Sequence, residues 1–118
     1  MLNRIIIGGK VVSDIELRKS NKLSISVCDF RLMYRSPRAK DALFIDVEVW
    51  GEEAEKFASV AQRKDRINID GELRQDNWEK DGVKRSKIKI TAQKITIITP
   101  ENAAAFDASE TPEENKAF

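Results

Sequence analysis

The chain has 118 residues, 41% hydrophobic and 35% charged, with no histidine and a single cysteine. That bounds it to one domain with one modest core, and it excludes an internal disulfide framework, the usual zinc sites and most nucleophile–base pairs. The formal charge of +1 is unevenly spread: residues 101–118 carry five acids and one base, a net of −4, which leaves the first 100 residues at +5.

Residues 2–12 read as a first strand, with Leu2, then Arg4 to Ile7, and Val11 and Val12 after a Gly8-Gly9 pair. Glycines within a strand signal a bulge or a sharp bend, as a barrel corner needs. Residues 13–21 are polar and turn-like. Leu23, Ile25 and Val27 then alternate with serines, after which Cys28, Phe30, Leu32 and Tyr34 continue in the other phase. This slip predicts a bulge or a strand shared between two halves of a coiled sheet. Cys28, in an apolar run, is expected to be a buried, inert thiol. Residues 35–41 form a loop broken by Pro37, with Arg35, Arg38 and Lys40 as its cations.

Phe44-Ile45-Asp46-Val47-Glu48-Val49-Trp50-Gly51 is a strictly alternating third strand. Ile45, Val47 and Val49 make a β-branched core stripe. The opposite face holds two aromatic rings and two carboxylates, which fits either a platform for flat ligands or a subunit contact. The helical pattern follows: Glu52, Glu53 and Glu55 in the first turn, Arg63 and Lys64 in the last, and Ala54, Phe57, Ala58 and Ala61 as one narrow apolar stripe. The paired acids are explained by the helix start, and no catalytic role is assigned to them.

Ile67, Ile69, Gly71 and Leu73 alternate as a fourth strand. Residues 74–87 are polar around Trp78 and an Asp81-Gly82 turn, the sign of a long hairpin, and Ile88, Ile90 and Ile95 to Ile98 form a fifth strand. Past Pro100 the periodicity ends, so residues 1–100 are expected to fold and 101–118 to be a disordered acidic tail. Five strands with one helix between the third and fourth is the element order of the OB fold, an all-β, five-stranded Greek-key barrel. No apolar run approaches a membrane span and the N-terminus lacks the apolar stretch of a signal peptide, so no membrane association and a cytoplasmic location are expected.

With no phosphate-cradling glycine loop and no catalytic constellation, a non-enzymatic binding module without cofactor or metal is the expected class. Aromatics stack bases whatever their identity, and Lys and Arg attract phosphates through counterion release. Trp78, in a polar hairpin, is the clearest stacking candidate. Phe44, Trp50 and Tyr34 fit stacking and a buried contact equally; Phe30 is assigned to the core. Arg35, Arg38, Lys40, Lys84, Arg85 and Lys87 lie in or beside two loops, where each alone would also serve as a solvated charge.

The sequence resembles the bacterial single-stranded DNA-binding protein family. The likeness runs through Leu2-Asn3-Arg4, Asp14-Ile15-Glu16-Leu17-Arg18, Phe30-Arg31-Leu32, the third-strand motif with Ala54-Glu55, Gly71-Glu72-Leu73-Arg74, Trp78 and Asp81-Gly82, over about residues 1–100. It implies an OB fold assembled as a homo-oligomer, with a tetramer favoured and a dimer as the alternative, that binds single-stranded DNA without sequence preference in replication, recombination or repair. Phe44, Trp50 and Trp78 match the family's stacking positions, and Arg63, Lys64 and Arg74 match positions used for phosphate. A fourth aromatic position is filled near Arg38 and offers no ring.

Asp46, Glu52 and Asp76 stand where many members carry a cation, and Glu48 where an apolar residue is usual; carboxylates in a phosphate groove are expected to weaken binding. The tail keeps a terminal Phe118 and two acids but lacks the family's Pro-Phe tip, through which replication and repair proteins are recruited. Two other ligands fit the same features: a protein, as for the primosomal accessory proteins, which are small OB dimers, and RNA, since stacking does not distinguish the sugars.

Overall fold

Alternating β-branched and polar residues build most of the molecule, whose computed structural model describes residues 1–103. Strands β1 (Ile5–Val11), β2 (Glu16–Lys19), β3 (Ser26–Tyr34) and β4 (Leu43–Trp50) precede helix α1 (Glu52–Val60); β5 (Arg66–Lys80) and β6 (Val83–Ile98) follow it. They form one sheet in the order β1-β5-β6-β4-β3-β2, and β1 also pairs with β3, which closes the sheet into a barrel. β4 and β6 are parallel; the other pairings are antiparallel. Apart from the short β2, this is the five-stranded OB barrel with its helix between β4 and β5.

The core is the inward stripe of each strand: Val11 from β1, Cys28, Phe30 and Leu32 from β3, Val47 and Val49 from β4, Ile67 and Ile69 from β5, and Ile90 from β6. Burial pushes the Cys28 thiol up to about 11, so it stays protonated and inert. α1 covers one end of the barrel with Ala54 and Phe57 buried and Ala58 and Ala61 packed against the cluster. The Phe57 ring lies 4.9 Å from that of Phe30, tilted by 34°.

Arg63 and Lys64 are not in the last turn of this helix. Ala61 is already extended and caps it, its N–H donating to the Phe57 carbonyl. The Asp65 carboxylate takes the Gln62 N–H at 2.8 Å, and Lys64 turns left-handed (φ 82°) to donate its N–H to the Val11 carbonyl. A side-chain-closed turn ends the helix before the basic pair is reached.

Other expectations changed in instructive ways. Residues 16–19, in a stretch read as turn-like, form β2 against β3, with Glu16 opposite Asp29 and Arg18 opposite Val27. Of the two outcomes expected from the phase slip before Cys28, the bulge is absent, since β3 and β4 pair in unbroken register from Val27–Trp50 to Tyr34–Leu43, and the shared strand is present, with β2 on Ser26 to Asp29 and β1 on Leu32 and Met33. Val27 and Cys28 are both fully buried because the sheet is covered on both faces there. The Gly8-Gly9 pair likewise leaves the β1–β5 register intact. It marks the barrel corner: a Cβ on Gly9 would stand 2.4 Å from the Met33 carbonyl oxygen, where β1 passes from β5 to β3. The register shift falls at Asp70/Gly71, where Gln93 is the extra residue, and a Cβ on Gly71 would meet the Thr91 carbonyl at 2.3 Å. Finally, residues 74–87 are strand almost throughout, so Trp78 and Lys84, Arg85 and Lys87 sit on a two-stranded ribbon turned by Asp81 and Gly82 rather than in a loop.

The Leu2-Asn3-Arg4 segment ties the N-terminus to β5. Asn3 exchanges two hydrogen bonds with the Leu73 backbone (2.8 and 2.9 Å), and Arg4 pairs with Asp70 at 2.7 Å. After β6, Asn102 closes a turn by accepting the Thr99 N–H at 2.7 Å. The rest of the acidic tail, including Phe118, lies outside the described residues. Among those described, no helix is long and apolar enough to cross a membrane.

Candidate nucleic-acid interface

Cross-strand partners share a face of the sheet, so the register alone assembles a surface opposite the core stripe. Arg74 on β5 pairs with Lys89 on β6, which pairs with Asp46 on β4, which pairs with Arg31 on β3. The next row runs Glu72, Thr91, Glu48, Asp29 and Glu16. Phe44 and Trp50 flank these rows on β4, and Trp78 with its partner Arg85 extends them along the ribbon. An open groove of about 710 Å³ crosses this surface, with Arg18, Arg31, Asp46, Glu48, Lys87 and Lys89 in its wall.

The carboxylates of this face do not stand unopposed, as the sequence alone suggested. Asp46 is in contact with Lys87 and lies 3.9 Å from Arg31. Glu48, only 4% exposed, accepts from Lys89 Nζ at 2.7 Å and from the Trp50 indole at 2.5 Å, with Arg18 at 3.7 Å. Asp76 takes Lys89 at 2.7 Å, and Asp29 takes Arg18 Nε at 2.8 Å. Burial alone would lower the Lys89 ammonium, but hydrogen bonds to Asp76 and Glu48 outweigh it and hold it above its ordinary value. The same bond holds the Asp76 carboxyl below the usual carboxylate range. The groove is a lattice of matched charges.

Of the aromatic candidates, Phe44 is 49% and Trp78 44% exposed. Arg31 lies over Phe44 with its guanidinium carbon 5.6 Å from the ring centroid. Trp50 is half-buried, its indole edge on Glu48. Tyr34 is different: it continues the inward phase of Phe30 and Leu32 and pairs with Leu43, so it falls on the face opposite Phe44.

Among the cations, Arg74, Arg85 and Lys87 share the interface register, whereas Lys84 pairs with Glu79 on the other side of the ribbon. Arg63 borders the groove 3.8 Å from Asp14; Lys64 is exposed outside it. Arg35, Arg38 and Lys40 are exposed in the β3–β4 loop, where Arg35 reaches the Lys40 carbonyl at 3.4 Å. Arg18, Arg31 and Lys89 were not singled out from sequence. The signal was available for two of them, because Arg31 alternates with Phe30 and Leu32, and Lys89 with Ile88 and Ile90. Arg18 required recognising β2.

An OB barrel with aromatic rings and cations along one open face defines the class of OB-fold nucleic-acid-binding modules. Within that class the chain belongs to the Single-strand binding protein family, which it matches over residues 2–98. A single-stranded DNA-binding protein of Treponema pallidum (strain Nichols) is 26% identical over 103 residues, which cover 82% of this chain and 58% of that protein. The corresponding protein of Aquifex aeolicus (strain VF5) is 28% identical over 120 residues, 96% of this chain and 81% of the relative. Single-stranded DNA-binding protein 1 of Streptococcus pyogenes serotype M6 is 30% identical over 102 residues, covering 83% and 78%.

Proposed function

We propose that this protein binds single-stranded DNA without sequence preference, without catalysing a reaction, and protects it in the cytoplasm during replication, recombination or repair. Bases stack on Phe44, Trp50 and Trp78, and phosphates follow Arg74, Arg85 and Lys87, with Arg63, Arg35, Arg38 and Lys40 at the margins. The observation that carries this reading is the strand register, which sets three aromatic residues and a charged groove on one side of the barrel. Single-stranded RNA is a second ligand of the same chemistry. A protein ligand drew its support from unopposed carboxylates at Asp46 and Glu48; their pairing with Lys87 and Lys89 favours the nucleic acid.

The proposal includes self-association. Over Ile5–Gly9, β1 pairs with β5 on one edge only among the described residues, and Ile6 on that strand is 69% exposed. An open edge beside an apolar side chain favours pairing with a second copy, as a homo-oligomer, with the tail at Phe118 left to recruit replication or repair proteins. The test is fluorescence anisotropy of labelled oligo-dT at rising salt, with light scattering of the complex. Affinity should fall as salt rises, a duplex of equal length should compete poorly, and the scattering mass should exceed one chain. Equal competition by the duplex overturns the reading.

A further inference from the structure

Glu48 is the unexpected side chain of the interface: a carboxylate on the outward face of a strand, yet almost wholly buried. Such a group is tolerated only when both oxygens are used by strong donors. Here Oε1 accepts the Trp50 indole N–H at 2.5 Å and Oε2 accepts Lys89 at 2.7 Å. Glu48 and Trp50 are two residues apart on β4, so their side chains rise from the same face, and the indole has a single donor to give. Pinning that donor fixes the edge of the ring and hence its plane. Lys89 is itself tied to Asp76 across the ribbon at 2.7 Å, which keeps the carboxylate from swinging away with the indole.

We propose that Glu48 is a positioning residue that holds the Trp50 ring in the orientation used for stacking, with Lys89 as its anchor rather than as a phosphate ligand. This rests on the reading of Trp50 as a stacking platform. A ring already immobilised in the free protein loses less side-chain freedom on binding. The charge of Glu48 is answered within the chain by Lys89 and Arg18, so its removal weakens binding, the opposite of what a repelling carboxylate would do.

The experiment uses the Trp78→Phe chain, in which Trp50 is the one remaining tryptophan, titrated with oligo-dT. Its emission should be quenched. Adding Glu48→Leu, which leaves the indole N–H without its acceptor, should weaken binding by roughly two- to tenfold, the range expected for one side chain immobilised on binding. Glu48→Gln, which keeps a carbonyl acceptor, should recover most of that loss. Equal affinities with Leu and Glu, or equal losses with Leu and Gln, overturn the proposal alone. No quenching with Glu48 intact overturns Trp50 as a platform and the proposal with it. A check independent of variant folding is the indole proton spectrum of the native chain. The Trp50 N–H should lie downfield of that of Trp78 and exchange more slowly; matching behaviour of the two contradicts the proposal.

Discussion

Lys89 and Asp76 meet diagonally across the β5–β6 ribbon, ammonium to carboxylate at 2.7 Å, although the register pairs Lys89 with Arg74 and Asp76 with Lys87. The diagonal contact matters because Lys89 also reaches Glu48 on β4 at 2.7 Å. One ammonium thus joins the projecting ribbon to the barrel wall, and the ribbon that carries Trp78 is braced against the strand that carries Phe44 and Trp50.

This bond makes stability depend on pH at both extremes. The Asp76 carboxyl is held low by Lys89, so its contribution is complete above the unfolded value of about 4 and is lost as pH falls through the lower folded value. The Lys89 ammonium is held high, so its contribution is complete below about 10.4 and is lost as pH rises through the folded value. Thermal melts from pH 2 to 12 should show Asp76→Asn losing less stability than the parent below about pH 4. Identical acid limbs would contradict the pairing.

On the proposed reading, Asp46 is the carboxylate that would compete with DNA for its cations. It is half-buried and engages Lys87 and Arg31, two cations that face the groove. Asp46→Asn releases both, so affinity for oligo-dT at low salt should rise. The slope of log K against log salt should steepen by about 0.7 for each additional phosphate neutralised. An unchanged slope would place these cations outside the DNA path.

Trp78 lies far out on the ribbon, with exposed neighbours on both sides. Trp78→Ala should cost about 1–3 kcal/mol of binding and leave the melting temperature nearly unchanged, because no core packing is lost. Calorimetric titration with oligo-dT and thermal melts separate the two. A large fall in melting temperature would make Trp78 a structural residue.

Phe57 is the reverse case. Buried against Phe30, it fastens α1 over the end of the barrel, and Phe57→Ala should cost about 3–5 kcal/mol in urea unfolding.

The core was legible because alternation is local: Val47 and Val49, Ile67 and Ile69, and Phe30 and Leu32 declare their face by period alone. The OB topology was legible from element order, with α1 in its expected place. What sequence did not disclose depends on partners distant along the chain. β2 is too short and polar to announce itself and exists because β3 offers it an edge. The phase slip at Val27 and Cys28 fits a bulge and a shared strand equally in sequence, and only the pairing of β3 with both β1 and β2 decides between them; the register shift at Asp70/Gly71 lies where a glycine admits the Thr91 carbonyl. At the site, Asp46, Glu48 and Asp76 looked repulsive because their cations, Arg31, Lys87 and Lys89, become neighbours only once four strands are in register. Tyr34 is a stacking candidate by residue type and falls on the face opposite Phe44, in the phase of Phe30 and Leu32.

The most direct test of the central claim is the intrinsic tryptophan emission of the native chain titrated at low salt with oligo-dT, and in parallel with a duplex of the same length. Stacking on Trp50 and Trp78 predicts strong, saturable quenching by the single strand, reversed by added salt, with little response to the duplex. Emission unchanged by oligo-dT, or quenched equally by both, would contradict it.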